Sequence, residues 1–214
     1  MRYAVIADIH ANLEALEVML NDAKAQQCTH YSCVGDVVGY NANPKECLDI
    51  VRSMGMPVVK GNHDEYCSTE DNLEGFNPHA AEAVSWTRKQ LGPDDRKWLR
   101  EFKYIRLVAS FTYQNTSVCF FGHTHVPLAF VRDSVVRGGT YSKFRVEPGK
   151  KYFVNVGAVG QPRDGNPKAG YVVYDLNEQT IELRRLDYDI PKAQAKIRAA
   201  GLPERLAERL DYGK

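Results

Sequence analysis

Apolar residues recur along this chain in two rhythms. Tyr3 to Ala7 is a short apolar run closed by Asp8, the pattern of a buried strand with a loop at its carboxyl end. Leu13, Leu16, Leu20 and Ala23 follow at helical spacing and predict an amphipathic helix to about Gln27. Tyr31 to Val34 predicts a second strand, ending at Gly35-Asp36. Asn43-Pro44 then opens a helix, with Asn as N-cap and Pro at the first helical position. Val58-Val59 predicts a third strand that runs out at Gly61-Asn62-His63-Asp64. Strands alternating with helices predict parallel pairing. The carboxyl ends of such strands, where the polar side chains fall, are where α/β sheets build their sites.

Asn77-Pro78 starts a helix predicted to reach about Leu91, and Pro93-Asp94 starts a shorter one. Beyond Tyr104 the rhythm changes to strands: 104–109, 117–121, 128–131, 151–156, 171–175 and 180–187, with Gly, Pro and Asn in the turns. From Pro191 the pattern is helical again, with a second start at Pro203. The second half therefore predicts a mostly antiparallel sheet with a terminal helix. Two sheets packed face to face with helices outside is the simplest architecture that buries these patterns. No linker, repeat or low-complexity tract interrupts the chain, so the expectation is one domain over residues 1–214.

Composition narrows the function classes. Hydrophobic residues make up 43% and charged residues 26%, as in ordinary globular proteins. The formal net charge of +1 gives no global pull toward nucleic acid or membrane. The Lys and Arg residues between Lys192 and Arg209 interleave with acids, which is a solvated helix face and no nucleic-acid stripe. An anionic substrate would have to be drawn in by a local charge. The five cysteines, Cys28, Cys33, Cys47, Cys67 and Cys119, are odd in number and include no C-x-x-C pair, which argues against a disulfide framework and a zinc ribbon. No apolar stretch approaches the ~18 residues of a membrane span, and the N-terminal run is too short for a signal-peptide core. The expected location is the cytoplasm.

Candidate chemistry gathers in four clusters, each after an apolar strand: Asp8-Ile9-His10, Gly35-Asp36, Gly61-Asn62-His63-Asp64 and Gly122-His123-Thr124-His125. Singly, each has a bland reading as a turn or a chance triplet. Together they supply carboxylate, amide and imidazole ligands without sulfur, a set suited to Mn, Fe, Zn or Ni. In the Asp8-x-His10 triplet an extended backbone would point both side chains the same way. The glycines let the chain leave each strand in a conformation that a Cβ would resist.

This set resembles the calcineurin-like metallophosphoesterases, and nearly the whole chain takes part. Residues 8–16 (Asp-Ile-His-Ala-Asn-Leu-Glu-Ala-Leu), 35–40 (Gly-Asp-Val-Val-Gly-Tyr) and 155–165 (Asn-Val-Gly-Ala-Val-Gly-Gln-Pro-Arg-Asp-Gly) are similar to the small bacterial and archaeal phosphodiesterase-like branch. The resemblance implies a four-layer α/β/β/α sandwich of two mixed sheets with outer helices. It implies a metal-dependent enzyme with two divalent ions, manganese first, that hydrolyses a phosphate ester, a diester before a monoester, with a metal-bridging hydroxide as nucleophile. Asp8, His10 and His125 resemble ligands of one ion, Asn62 and His123 ligands of the second, and Asp36 the bridging carboxylate. His63 matches the family's histidine beside the leaving group, the general acid, with Asp64 as its orienting partner. Arg163 is a candidate fork donor to a substrate phosphate, with a structural loop arginine as the alternative. Asn12 reads as a helix cap or a substrate contact. Tyr40 and Asn41 read as pocket or packing residues. The implied partner is a small phosphoester or nucleotide, and self-association is left open.

The match breaks in one place. The family carries a further metal-binding histidine on a strand between the third and fourth of these clusters, the Asn-His-Asp and Gly-His-x-His motifs. Here the interval holds His79, at a helix start, and no histidine from Ala80 to Phe121. Either the segment is truly absent between Val108 and Val118, or the sequence as read omits it. A complete set predicts an enzyme. An incomplete one favours a weakened enzyme, or a scaffold or nucleotide-binding protein on the same fold, a use seen in a trafficking-complex subunit of the superfamily.

Overall fold

The computed structural model describes residues 1–104 and 116–214. Its elements are β1 (Arg2–Ile6), α1 (Leu13–Ala25), β2 (His30–Cys33), α2 (Pro44–Met54), α3 (Asn62–Ser68), α4 (Pro78–Gln90), α5 (Pro93–Arg100), β3 (Val118–Phe121), β4 (Ala129–Arg132), β5 (Val136–Gly139), β6 (Lys143–Arg145), β7 (Lys151–Asn155), β8 (Ala169–Asp175), β9 (Thr180–Leu186), α6 (Ile190–Ala199) and α7 (Glu204–Tyr212). They form a five-stranded sheet in the order β2-β1-β8-β9-β6 and a four-stranded sheet in the order β3-β7-β4-β5. Both sheets are mixed: β1 pairs parallel to β2 and antiparallel to β8, and β7 pairs parallel to β3 and antiparallel to β4.

The strand period of two sorts the core. On β1, Tyr3 and Val5 face Val118, Tyr152, Val154 and Val172 between the sheets. Ala4 and Ile6 face Leu16, Met19, Leu48 and Val51 under the helices. All seven residues of β8 are buried because both of its faces are covered. The mixed α/β sandwich expected from the sequence is present, with its helices outside. Among the described residues they pack on the five-stranded sheet, while Phe130 and Phe153 of the other sheet are exposed. A third cluster joins α4, α6 and α7 through Ala83, Ala193, Ile197, Leu206 and Leu210, with Tyr40 against it.

Several local expectations are adjusted. The third strand shrinks to bridges of Val58 to Cys33 and Val59 to Lys103, since only two β-branched residues separate Pro57 from the turn at Gly61. The Asn62–Ser68 segment is helical, with the Asp64 carboxylate accepting from the Gly61 N–H at 3.1 Å. Strands β5 and β6 are additional. The strand expected over 104–109 lies, from 105 on, outside the described residues. The four buried cysteines and the exposed Cys119 are all free thiols. Among the described residues no helix is long and apolar enough to cross a membrane.

Candidate metal centre

The loops that follow β1, β2 and β3 converge at one end of the sandwich. The 8–11 loop is clamped on both sides. Asp8, His10 and Ala11 donate their N–H groups to the carbonyls of Gly35, Asp36 and Val37, each at 2.9 Å, while Val159 and Gly160 donate to Ala7 and Asp8. This clamping holds an unusual backbone. Asp8, His10, Ala11, Asp36, Tyr40, His123 and His125 all have φ between 47° and 73°. Each such non-glycine residue costs about 1 kcal/mol or more, so the surrounding hydrogen bonds must outweigh the strain. The extended-backbone explanation for the Asp8-x-His10 triplet is therefore incorrect. The side chains converge because both residues are left-handed. Glycine serves at the points of closest approach. A Cβ on Gly61 would stand 2.1 Å from Asp36 Oδ1, and one on Gly122 would stand 2.7 Å from Asp8 Oδ2.

Asp8, His10 and His125 are buried and bring their ligand atoms within 4.8 Å of one another. His10 Nε2 lies 3.1 Å from His125 Nε2, and Asp8 Oδ1 lies 3.4 Å from His125 Nε2 and 3.9 Å from His10 Nε2. The outer ring nitrogens face carbonyls, His10 Nδ1 to Val38 O at 3.1 Å and His125 Nδ1 to Gln161 O at 2.6 Å. Those carbonyls take the ring protons and leave lone pairs on both Nε2 atoms. Burial, then neighbouring positive charge, pushes both imidazoles below their usual pKa, His125 to about 2. Three potential lone-pair donors thus face one another. Such a cluster fits a cation and little else.

A second group adjoins it. Asp36 is buried, and its Oδ1 accepts from the His63 N–H at 2.8 Å. Asn62 Oδ1 lies 3.0 Å from His123 Nδ1, and the His123 N–H donates to both Asp8 oxygens at 3.1 and 3.0 Å. Burial and the charge of Asp36 raise the Asp8 pKa, and burial raises Asp36 to about 6. Crowded, desolvated carboxylates are what a divalent ion relieves. A cleft of about 740 Å³ opens beside this group and runs between the sheets past Val5, Val34, Val59 and Phe120.

His63 is buried against Tyr40 and edge-on to His10, at ring separations of 4.3 and 4.8 Å. Among the described residues its Nδ1 has no partner. Burial and the charge of Arg163 push its pKa down to about 3. Asp64 does not hydrogen-bond this imidazole. Its carboxylate accepts from the N–H groups of Asp36, Val37, Val38 and Gly61, so it pins the Asp36 loop to the start of α3. Asn12 is consumed by the scaffold as well: Oδ1 accepts from Ala15 N–H and Nδ2 donates to Gly160 O, with the residue buried. The helix-cap reading of Asn12 is the one its hydrogen bonds express. Arg163 does reach the site. Its guanidinium binds Gln161 Oε1 and lies 5.5 Å from the centroid of Tyr40, which packs on His10. Asn41 donates to His10 O at 2.7 Å. His79 is exposed in the first turn of α4. The interval between Val108 and Val118, where the extra histidine would fall, lies almost wholly outside the described residues.

Two contributors escaped the sequence reading. Asn155 ends β7 and donates to Gly122 O and Thr124 Oγ1, holding the His123–His125 turn. A polar residue closing an apolar strand was its signal. Arg209 of α7 lies 5.9 Å from the Tyr40 centroid, and nothing local in the sequence marks it.

Residues 1–179 match the family model for the calcineurin-like phosphoesterase superfamily domain. An uncharacterized protein of Methanocaldococcus jannaschii is 35% identical, over an alignment covering 99% of this chain and 98% of the relative. That alignment runs to 240 positions against 214 residues here, so the relative carries residues without counterpart in this chain. The crystal structure of a metallophosphoesterase from Sphaerobacter thermophilus superposes with a TM-score of 0.86 at 34% identity, covering 100% of this chain and 99% of that one. A hypothetical protein from Pyrococcus horikoshii shares the fold with a TM-score of 0.79 at 17% identity, covering 100% and 98%.

Proposed function

Because the chain belongs to the calcineurin-like phosphoesterase superfamily, we propose that it hydrolyses phosphate esters, diesters before monoesters, at a centre holding two divalent transition-metal ions. The observation that carries this reading is the convergence of Asp8 Oδ1, His10 Nε2 and His125 Nε2, all buried. These three residues would hold one ion. Asn62 and His123 would hold the other, with Asp36 between. The oxygen-and-imidazole donor set suits manganese, with iron, zinc and nickel as alternatives. Bound there, the ions supply Lewis acidity and water ionised near neutral pH.

The chain's own residues divide the remaining work. His63 is the proton donor to the departing oxygen. In the free protein its ring is neutral, because burial and the charge of Arg163 disfavour the imidazolium. A phosphate anion beside the ring acts against both effects and favours the protonated form. Asp64 positions Asp36 and His63 through the main chain. Arg163 supplies charge to the substrate phosphate.

A second reading, metal binding without turnover, is favoured by the thinness of the second group, which has one imidazole among the described residues. The test is hydrolysis of bis-p-nitrophenyl phosphate by the manganese-loaded protein. The enzyme reading expects turnover that falls at least ~100-fold in Asp36→Asn, since a bridging carboxylate serves both ions. Metal uptake with no turnover of any phosphoester offered would leave the binding protein as the surviving reading.

A further inference from the structure

Arg163 and Arg209 come from distant parts of the chain, the loop after β7 and helix α7, yet their guanidinium carbons lie 5.5 and 5.9 Å from the centroid of the same Tyr40 ring. That ring packs at 4.6 Å on His10 and 4.3 Å on His63, so both cations border the metal centre. Among the described residues neither pairs with a side-chain carboxylate. The Asp164 carboxylate, next to Arg163, is taken by Arg185, and Asp211 of α7 accepts from Gln194. Arg163 donates from Nε and Nη2 to the uncharged Gln161 Oε1, and Arg209 donates from Nε to the oxygen of Lys214, the last residue of the sequence, leaving its two terminal nitrogens without a partner among the described residues.

The surroundings do not compensate this charge. Burial, followed by the charge of Arg163, pushes Arg209 down to about 10, and the charge of Arg163 also depresses His63 and His125. Gln161 adds a third donor, since its Nε2 is buried and has no acceptor. A buried donor left unmade costs about 1–3 kcal/mol. Two half-buried guanidinium groups with no side-chain carboxylate among the described residues repel each other. Such a group of donors is stable in use only with an anion.

The placement is deliberate in the fold. Helix α7 is anchored by buried Leu206 and Leu210, and just beyond it the Gly213 carbonyl accepts from the Gly165 N–H at 2.9 Å. The C-terminal helix is thereby tied to the loop that carries Arg163.

We propose that Arg209, with Arg163 and the Gln161 amide, binds a second phosphate group of the substrate beside the one at the metal centre, so that the substrate class is an organic ester with two closely linked phosphates. The substrate assignment rests on the phosphoesterase reading, whereas the anion site does not. Arg209 is a specificity-determining residue here, and it takes no part in bond cleavage.

The test is calorimetric binding of pyrophosphate and of inorganic phosphate to the manganese-loaded protein. The wild type should bind pyrophosphate at least ~10-fold more tightly than phosphate, and Arg209→Met should shrink that preference to ~3-fold or less. Arg209→Lys, which keeps the charge and loses the fork, should fall between, and it carries the test if the methionine variant does not fold. In turnover, the kcat/KM ratio of a nucleoside diphosphate to bis-p-nitrophenyl phosphate should fall ~10-fold in Arg209→Met and by less in Arg209→Lys, through KM. A pyrophosphate preference unchanged in both variants overturns the proposal whatever the turnover. An Arg209-dependent preference with no ester hydrolysed keeps the anion site and removes the phosphoesterase reading instead.

Discussion

At the scale of single residues, the centre is built from side chains whose backbone would rather be elsewhere. Asp8, His10, Asp36, His123 and His125 all occupy left-handed conformations, where glycine is the easy choice and no glycine can bind a metal. The glycines sit instead where a methyl group has no room. Gly61→Ala would drive a Cβ into Asp36 Oδ1, so the carboxylate must move. The expected result is metal uptake reduced at least ~10-fold with the fold retained, measured by metal analysis after dialysis and by circular dichroism. Full metal occupancy in that variant would show that Asp36 tolerates displacement. An exposed residue gives the opposite test. Gln27 follows α1 with φ 58°, the place where helices favour glycine. Gln27→Gly should stabilise the protein by about 0.5–1 kcal/mol in urea unfolding, with activity unchanged.

At the scale of elements, helices are tied to sheets by a few charged hydrogen bonds as well as by apolar packing. Asp22 on α1 accepts from Tyr171 on β8 at 2.7 Å and from two nitrogens of Arg184 on β9 at 3.1 and 2.9 Å. Burial alone would raise this carboxyl, but the hydrogen bonds from Arg184 and Tyr171 outweigh it and hold its pKa below the usual value. A depressed carboxylate gives stability that is full above its unfolded pKa of ~3.9 and is lost as pH falls through the lower folded value. Asp22→Asn should therefore lower stability by about 1–2 kcal/mol at pH 7, and the gap to wild type should narrow as pH falls below ~4. A gap of constant size across that range would assign the loss to packing. Elements of this kind were largely legible in the sequence. Leu13, Leu16, Leu20 and Ala23 mark α1, and Asn43-Pro44, Asn77-Pro78 and Pro93 mark helix starts, because caps and periodicity are local signals. Helix α3 was not legible, since its seven residues carry ligands instead of an apolar stripe. The parallel pairing of β3 with β7 was also hidden, because register between strands 33 residues apart is set by the shared core.

At the scale of the molecule, the centre joins parts that otherwise meet only through the core. Asp8 and Asp36 follow strands of the five-stranded sheet, His123 and His125 follow a strand of the other, and Asn62 opens α3. An ion shared among them would cross-link the two sheets, so it should stabilise the whole fold. The melting temperature should rise by several degrees on manganese loading and fall again with chelator, and Asp36→Asn should remove most of the rise. A melting curve indifferent to metal would mean the ligands do not close on an ion. The convergence of the candidate clusters was legible because each one ends an apolar run. The geometry that brings Tyr40, Arg163 and Arg209 together was not, since α7 reaches the site only through the packing of Leu206 and Leu210.

The left-handed residues also shape how this protein can change over generations. Substituting glycine at Asp8, His10, His123 or His125 would relax the backbone and remove a ligand in the same step. Robustness and chemistry therefore pull in opposite directions at the same positions. Without metal these positions favour glycine, whereas metal loading favours the side chains that stand there. On the phosphoesterase reading, descendants of this chain that have abandoned turnover should be recognisable by glycines where these four side chains stand.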